Sequence, residues 1–408
     1  MRILIINKFY YLFGGTERYL FNLTDVLESK GHSVIPFAMQ HESNRETPYS
    51  NYFVSKVDLS IDRRKGLRDD MKAVGRILYS FEAKRRLRSL IEDASPDIAH
   101  VRNVYHQLSP SVLSVLKKMG IPSVLTVADY KMICPNYDMF YNGKVCEACK
   151  EGQFYHAVMK RCVRNSFAAS ALLAIESTLH RFVLDSYKKN IDLFIAPSRF
   201  VRHKFVESGF PKDRIVHLAH FCDSSKWVPS YDSDNYLVYF GRVDHRKGLV
   251  TLINAVRRLP TKLVIVGDGP EKANLEKYIA AEAISNVSLV GYKSGEELQF
   301  IIRRAMFSVL PSEWNEPFGH TILESFASGK PVIASKIGGI PELIREGENG
   351  HLFEPGNVGE LASKISDYIA NPDKVKEMGK IARFTVERDY SPEDHYKKLI
   401  AIYRDLVS

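Results

Sequence analysis

The chain has 408 residues, 45% apolar and 26% charged, a balance that supports two or three water-soluble domains. It excludes a wholly disordered chain, and no stretch approaches the roughly 20 apolar residues that cross a bilayer. Residues 1–228 carry a net charge of +11 and the remainder −2, so the first half suits an anionic partner: a phosphorylated substrate, anionic lipid or nucleic acid. The apolar run at the start, Arg2 to Asn7, is too short for a signal peptide, and no small-residue cleavage site follows it. A cytoplasmic protein is expected. The five cysteines, four of them between Cys134 and Cys162, argue against a disulfide framework.

In chain order, Arg2 to Asn7 reads as a buried strand. A loop with Gly14-Gly15 follows, then a helix with Tyr19, Leu20, Leu23, Val26 and Leu27 at helical spacing, then a strand over Ser33 to Met39. Residues 97–101, 122–127 and 192–196 continue the strand series. Two inserts interrupt it: a basic helical stretch over 62–93 and a loop-rich, cysteine-bearing stretch over 131–165. Residues 166–189 read as an amphipathic helix. A polar break near 224–234 ends a first domain, 1–228. A second strand–helix series fills 229–385, and 386–408 reads as one or two helices, expected to cross back to the first domain. The fold class is α/β, with two doubly wound parallel sheets facing across a cleft.

The segment Phe307 to Leu352 is the richest in chemistry. Glu316 sits on a loop after a strand, and Glu324 lies eight residues on, inside the next helix. The amino end of that helix, near Phe318-Gly319, offers unpaired N–H groups and the positive end of the dipole to a phosphate. Glu324 can accept two ribose hydroxyls, and Glu316 can bind hydroxyls of a sugar beyond the phosphate. Arg242 and Lys247, in Gly241-Arg242-Val243-Asp244-His245-Arg246-Lys247-Gly248, can bracket a diphosphate. Taken singly, each of these is an ordinary capping acid, surface cation or turn. Together they converge on one sheet edge.

Pro311-Ser312-Glu313-Trp314-Asn315-Glu316-Pro317-Phe318-Gly319, Gly329-Lys330-Pro331-Val332-Ile333-Ala334-Ser335, Gly338-Gly339-Ile340-Pro341-Glu342 and Phe240-Gly241-Arg242 resemble motifs of glycosyltransferase family 4, retaining enzymes of the GT-B fold. The resemblance implies that the second domain binds a nucleoside diphosphate sugar and the first an acceptor. It implies that Glu324 holds the ribose, that Glu316 lies by the transferred sugar, and that Arg242 and Lys247 hold the diphosphate. Gly241, Gly267, Phe318, Gly319, His320 and Thr321 complete the donor side. It implies no catalytic metal, because cations neutralise the diphosphate.

On the acceptor side, Gly14, Gly15 and Glu17 resemble the family's glycine-rich loop, and Arg102, Asn103 and His106 follow the 97–101 strand. His106 is either a cleft residue or a satisfied core histidine. Thr126-Val127-Ala128-Asp129-Tyr130 departs from the family's T-x-H-D-Y, placing Ala128 where relatives carry a histidine that contacts the donor sugar. Asp129 binds a hydroxyl or makes a local turn bond. Cys134, Cys146, Cys149 and Cys162 have the count of a structural zinc site, or are four packed thiols. The basic stretch, including Arg63, Arg64, Lys65, Arg68, Lys72, Arg76, Lys84, Arg85, Arg86 and Arg88, is either a solvated helix face or an anionic-membrane surface. In the second case Ile77, Leu78, Tyr79 and Phe81 would insert among its cations. No nucleic-acid motif accompanies it.

The expected activity is retaining transfer of a sugar from a nucleoside diphosphate sugar to a hydroxyl of a glycan or polyprenyl-linked glycan, in surface polysaccharide synthesis. The enzyme would be cytoplasmic, at the inner face of the membrane. The alternatives are a nucleotide-sugar-binding scaffold impaired by Ala128 and a sugar-nucleotide epimerase, against which the motifs argue.

Overall fold

The computed structural model describes residues 1–57 and 67–408. The first half runs β1 (Arg2–Ile6), α1 (Gly15–Ser29), β2 (Ser33–Phe37), α2 (Leu67–Leu78), α3 (Phe81–Ala94), β3 (Ile98–Val101), α4 (Leu113–Lys118) and β4 (Ser123–Thr126). The hairpin β5 (Phe140–Tyr141) and β6 (Lys144–Val145) follows, then α5 (Tyr155–Met159), α6 (Phe167–Thr178), β7 (Leu193–Ala196), α7 (Arg199–Glu207) and β8 (Ile215–His217). The second half runs β9 (Tyr236–Phe240), α8 (Leu249–Val256), β10 (Lys262–Val266), α9 (Lys272–Ala281), β11 (Val287–Gly291), α10 (Gly295–Arg304) and β12 (Ser308–Leu310). It closes with α11 (His320–Ala327), β13 (Val332–Ser335), β14 (Gly350–Phe353), α12 (Val358–Ala370), α13 (Pro372–Asp389) and α14 (Pro392–Val407).

Each half holds a six-stranded sheet, all parallel, in the orders β2-β1-β3-β4-β7-β8 and β11-β10-β9-β12-β13-β14. The strands are short apolar runs because helices cover both faces. Strand order reverses between β1 and β3 in one sheet and between β9 and β12 in the other. Ligand crevices of doubly wound sheets open at such points, beyond the carboxyl ends of the strands. Register places Ile3 beside Ile98 and Val238 beside Ser308. The loops that leave these four strands carry Gly14-Gly15, Arg102-Asn103, Arg242 to Lys247 and Glu316.

Several elements differ from the sequence reading. β8 and β14 are edge strands of three and four residues, half-exposed and so without the continuous apolar run of the inner strands. α13 runs through residue 385 to Asp389, and Pro392 opens α14 at a position where its missing N–H costs nothing. α6 stops at Thr178 and continues as a π turn over Leu179–Val183. Its apolar stripe is divided: Leu173 is buried, whereas Ile175, Phe182 and Val183 are exposed, as is Phe167 at its start.

α14 packs on the first half. Leu399, Ile400 and Tyr403 share a core with Ile3, Ile5, Leu20 and Leu23. Tyr19 Oη and His395 Nε2 lie 3.0 Å apart, and Tyr403 Oη meets His100 Nδ1 at 2.5 Å. Leu399 is fully buried, so Leu399→Ala should cost about 2–5 kcal/mol. The check is denaturant unfolding; a loss below half a kilocalorie would show that α14 does not stabilise the first half.

Candidate functional site

The site is built on two loops of the second sheet that run in backbone contact. A Cβ added to Gly248 would lie 1.9 Å from the Pro311 carbonyl oxygen, and one on Gly267 would lie 1.8 Å from that of Gly241. Gly241, Gly267 and Gly248 also have φ of +149°, +147° and +63°, which side chains rarely tolerate. This close approach brings the loop after β9 against the loop after β12. Lys247 Nζ then bonds Glu316 Oε1, which also accepts Ser312 Oγ at 2.7 Å. Burial opposes ionisation of Glu316, but Lys247 and the Ser312 hydroxyl outweigh it and hold its pKa below the usual carboxylate value.

Gly319 (φ +110°) starts α11 in a left-handed conformation and leaves the helix amino end without a side-chain cap. Glu324 lies one turn in, 6% exposed, and its Oε1 accepts Arg18 Nη1 of α1 at 2.5 Å. Arg242 stands half-exposed at the same edge, 3.5 Å from Asp244. A second inward cation of that loop is Arg246, which bonds Asp244 at 2.8 and 2.9 Å and Asp138 of the first half. The Phe318 ring is a core group, 4% exposed, edge-on to His220 and His320. His320 stacks on His220 at 4.7 Å, and burial lowers its pKa to about 3. It is a neutral ring beside Gly15, whose added Cβ would sit 4.0 Å from it. Thr321 is half-buried on the first turn of α11.

On the opposite wall, Gly14 caps α1, and Glu17 is buried with Asn7 Nδ2 at 3.2 Å. Burial raises the Glu17 pKa, against that hydrogen bond and the charges of Lys8 and Arg102. Arg102 is 4% exposed and lies over the Tyr19 ring at 4.4 Å, its Nε and Nη1 without partners. Asn103 N donates to Asn7 Oδ1 at 3.2 Å. His106 has φ +67° and an unpartnered Nε2, and burial holds its pKa well below that of a free imidazole. Ala128 is half-buried, and Asp129 Oδ1 accepts Lys131 N at 2.9 Å. Burial raises the Asp129 pKa, while that bond and the charges of Lys8, Lys131 and Arg102 oppose it.

Sequence reasoning missed Arg18, Lys8, Arg246 and Glu342. Glu342, in the Gly-Gly-Ile-Pro-Glu segment, accepts Arg199 N and Phe200 N at 2.9 and 2.8 Å and so caps α7 of the other half. Ser198 Oγ donates to Pro317 O at 2.8 Å across the same seam. A glycine-loop arginine one turn into a helix was the available signal for Arg18. The cross-half partners of Arg246 and Glu342, Asp138 and the start of α7, are too distant in sequence to be read.

The chain matches the family descriptions "Glycosyltransferase Family 4" over residues 13–129 and "Glycosyl transferases group 1" over 223–384. It is 31% identical to the glycogen synthase of Mycobacterium tuberculosis over a 417-residue alignment, covering 96% of this chain and 91% of that one. This chain belongs to the family 4 glycosyltransferases. A second relative, an uncharacterized protein in the cps region of Klebsiella pneumoniae, is 26% identical over 372 residues, 87% of this chain and 90% of its own. Among solved structures, this glycosyltransferase is similar to sucrose-phosphate synthase from Thermosynechococcus elongatus (TM-score 0.72, 19% identity, 100% and 99% of the two chains). HepE from Anabaena, in complex with UDP and glucose, has a TM-score of 0.71, with 17% identity and 100% of both chains covered. The fold they share is GT-B.

The cysteine insert of the transferase brings its four thiols together. Cys134, Cys146, Cys149 and Cys162 line one cavity as free thiols, and burial raises the Cys134 pKa to about 11. Among the described residues, no three metal-ligating side chains are disposed to hold an ion. The basic stretch is described in part, with Phe81, Arg85 and Arg88 exposed. Residues 58–66, with Arg63, Arg64 and Lys65, lie outside the described residues, as do the side chains of Arg68 and Lys72. Arg76 is buried and bonded to Glu82, and Ile77 is buried, so neither belongs to a membrane-inserting face. Among the described residues, no helix is long and apolar enough to cross a membrane.

Because the folded pKa of Glu316 is depressed from 4.5, its stabilising contribution is complete above that pH and fades as pH falls through the folded value. Glu316→Gln should therefore lower stability at pH 7 and flatten the fall in Tm below pH 4.5. Thermal melts across pH test this; parallel Tm curves for the two proteins would refute it.

Proposed function

We propose that this glycosyltransferase is a retaining enzyme. It moves a sugar from a nucleoside diphosphate sugar to a hydroxyl of a glycan or polyprenyl-linked glycan, in surface polysaccharide synthesis. The observation that carries the reading is the buried Lys247–Glu316 pair at the switch point of the second sheet, beside the uncapped amino end of α11. UDP and glucose in the HepE complex support the donor class, and the cps-region relative supports the polysaccharide context.

In this reading the diphosphate lies against the N–H groups of α11, with Arg242 and Lys247 as its cations. Glu324 accepts the ribose hydroxyls, and Glu316 orients the sugar. The acceptor enters between Gly14-Gly15 and the loop after β12. The sugar carbon's bond to the diphosphate oxygen breaks while its bond to the acceptor oxygen forms on the same face. The departing diphosphate oxygen takes the acceptor's proton, so configuration is kept. A second reading rests on Ala128, which offers no polar group beside Asp129: a nucleotide-sugar-binding protein with impaired turnover.

Calorimetry against UDP-, GDP-, ADP- and dTDP-sugars identifies the base and tests the site. Glu324→Ala should weaken binding of the preferred nucleotide. Arg242→Ala should weaken the diphosphate about tenfold or more and the nucleoside hardly at all, as for loss of a charge-assisted hydrogen bond. Unchanged affinity in both variants refutes the assignment. If the enzyme reading holds and the lost histidine limits it, Ala128→His should raise transfer by about 10²–10³. Persistent inactivity with normal nucleotide affinity would favour the binding protein.

A further inference from the structure

Helix α6 and the π turn after it turn their polar residues inward. Ser170, Glu176, Ser177 and His180 are buried. Glu176 meets Lys131 Nζ at 2.6 Å, Ser170 Oγ accepts Val163 N at 3.0 Å, and His180 pairs with Ser186 Oγ at 2.7 Å and Leu78 O at 2.9 Å. The outward face is apolar, with Phe167, Ile175, Phe182 and Val183 at 57–70% exposure. Tyr155 and Met159 of α5 add 56% and 74%. Six of the twenty large apolar side chains exposed among the described residues thus fall within residues 155–183, where even scatter would place about one or two.

Charge frames this stripe. Residues 155–190 contain six Lys and Arg against two acids. Glu176 is spent in its buried pair, and Asp185 is half-buried, 3.9 Å from Lys188. Arg161 and Arg164 are exposed before α6 and Lys189 after it.

We infer that this face docks on an anionic lipid bilayer, α6 lying in the headgroup plane with its apolar stripe down and its flanking cations on lipid phosphates. A second copy of the chain fits less well, because a twofold contact would set the stripe's cations against one another. The insert that leads into α6 also touches the cleft: Asp138 bonds Arg246, and the Phe140 and His245 rings lie 5.7 Å apart. On the proposed function, docking here would hold the cleft beside the surface that presents a polyprenyl-linked acceptor.

The test is sedimentation of the full chain with vesicles of phosphatidylcholine alone or mixed with phosphatidylglycerol. Binding should require phosphatidylglycerol and weaken with salt. It should fall about tenfold or more in Ile175→Glu/Phe182→Glu and in Arg161→Glu/Arg164→Glu, with nucleotide affinity unchanged in calorimetry. The second pair, all surface charge, keeps the test valid if the first misfolds. No binding to phosphatidylglycerol vesicles, or binding undiminished in the arginine pair, overturns the inference. So does a dimer in light scattering that the Ile175→Glu/Phe182→Glu change dissociates. Because vesicle binding needs neither donor nor acceptor, its failure would leave the transferase reading intact.

Discussion

A carboxylate with less than a tenth of its side chain exposed stays charged only when a cation reaches it, and for Glu316 that cation is Lys247. The two residues lie 69 positions apart on separate loops. They meet because Gly248 lets its loop pass against the carbonyl of Pro311, with Gly241 and Gly267 making a similar crossing one strand away. The glycines therefore govern the electrostatics of the cleft. A side chain at Gly248 would part the two loops, and a parted loop would strand a buried charge.

The second wall of the cleft is held by different means. Glu324 reaches across to Arg18, Glu342 caps α7, Ser198 bonds Pro317, and Arg246 pairs with Asp138. All four contacts join the halves of the molecule through polar groups on loops and helix ends. These contacts give directional specificity, and Trp314, packed edge-on against Tyr130 in the core of the first half, adds an apolar anchor.

The strand–helix alternation was legible because parallel strands covered on both faces must be short apolar runs, and the helices between them keep a 3.6-residue period. Glu316, Glu324, Arg242 and Lys247 could be placed because each follows a strand at the edge where crevices open. Arg246 was passed over because its partner in the other half, Asp138, lies 108 positions away in sequence. β8 and β14 escaped notice because, at the sheet edges, they are half-exposed and lack the apolar run that marks the inner strands. α6 misled for a physical reason. An apolar stripe at helical spacing is normally the buried face, but here Lys131 and Leu78, remote in sequence, supply partners for Glu176 and His180 and draw the polar side inward.

The last helix sets how the halves can move. The chain passes from the first half to the second after Phe221 and returns before Pro392, and at the crossing Cys222 N donates to Tyr390 O at 3.0 Å. The two passages are thus laced together at one edge. Opening of the cleft becomes rotation about a double-stranded strap: a clam-like arc whose axis runs by Cys222 and Tyr390, close to the amino end of α11, where the Phe318 ring lies 6.3 Å from Tyr390. Wider separation would have to tear α14 out of the apolar core it shares with β1 and α1.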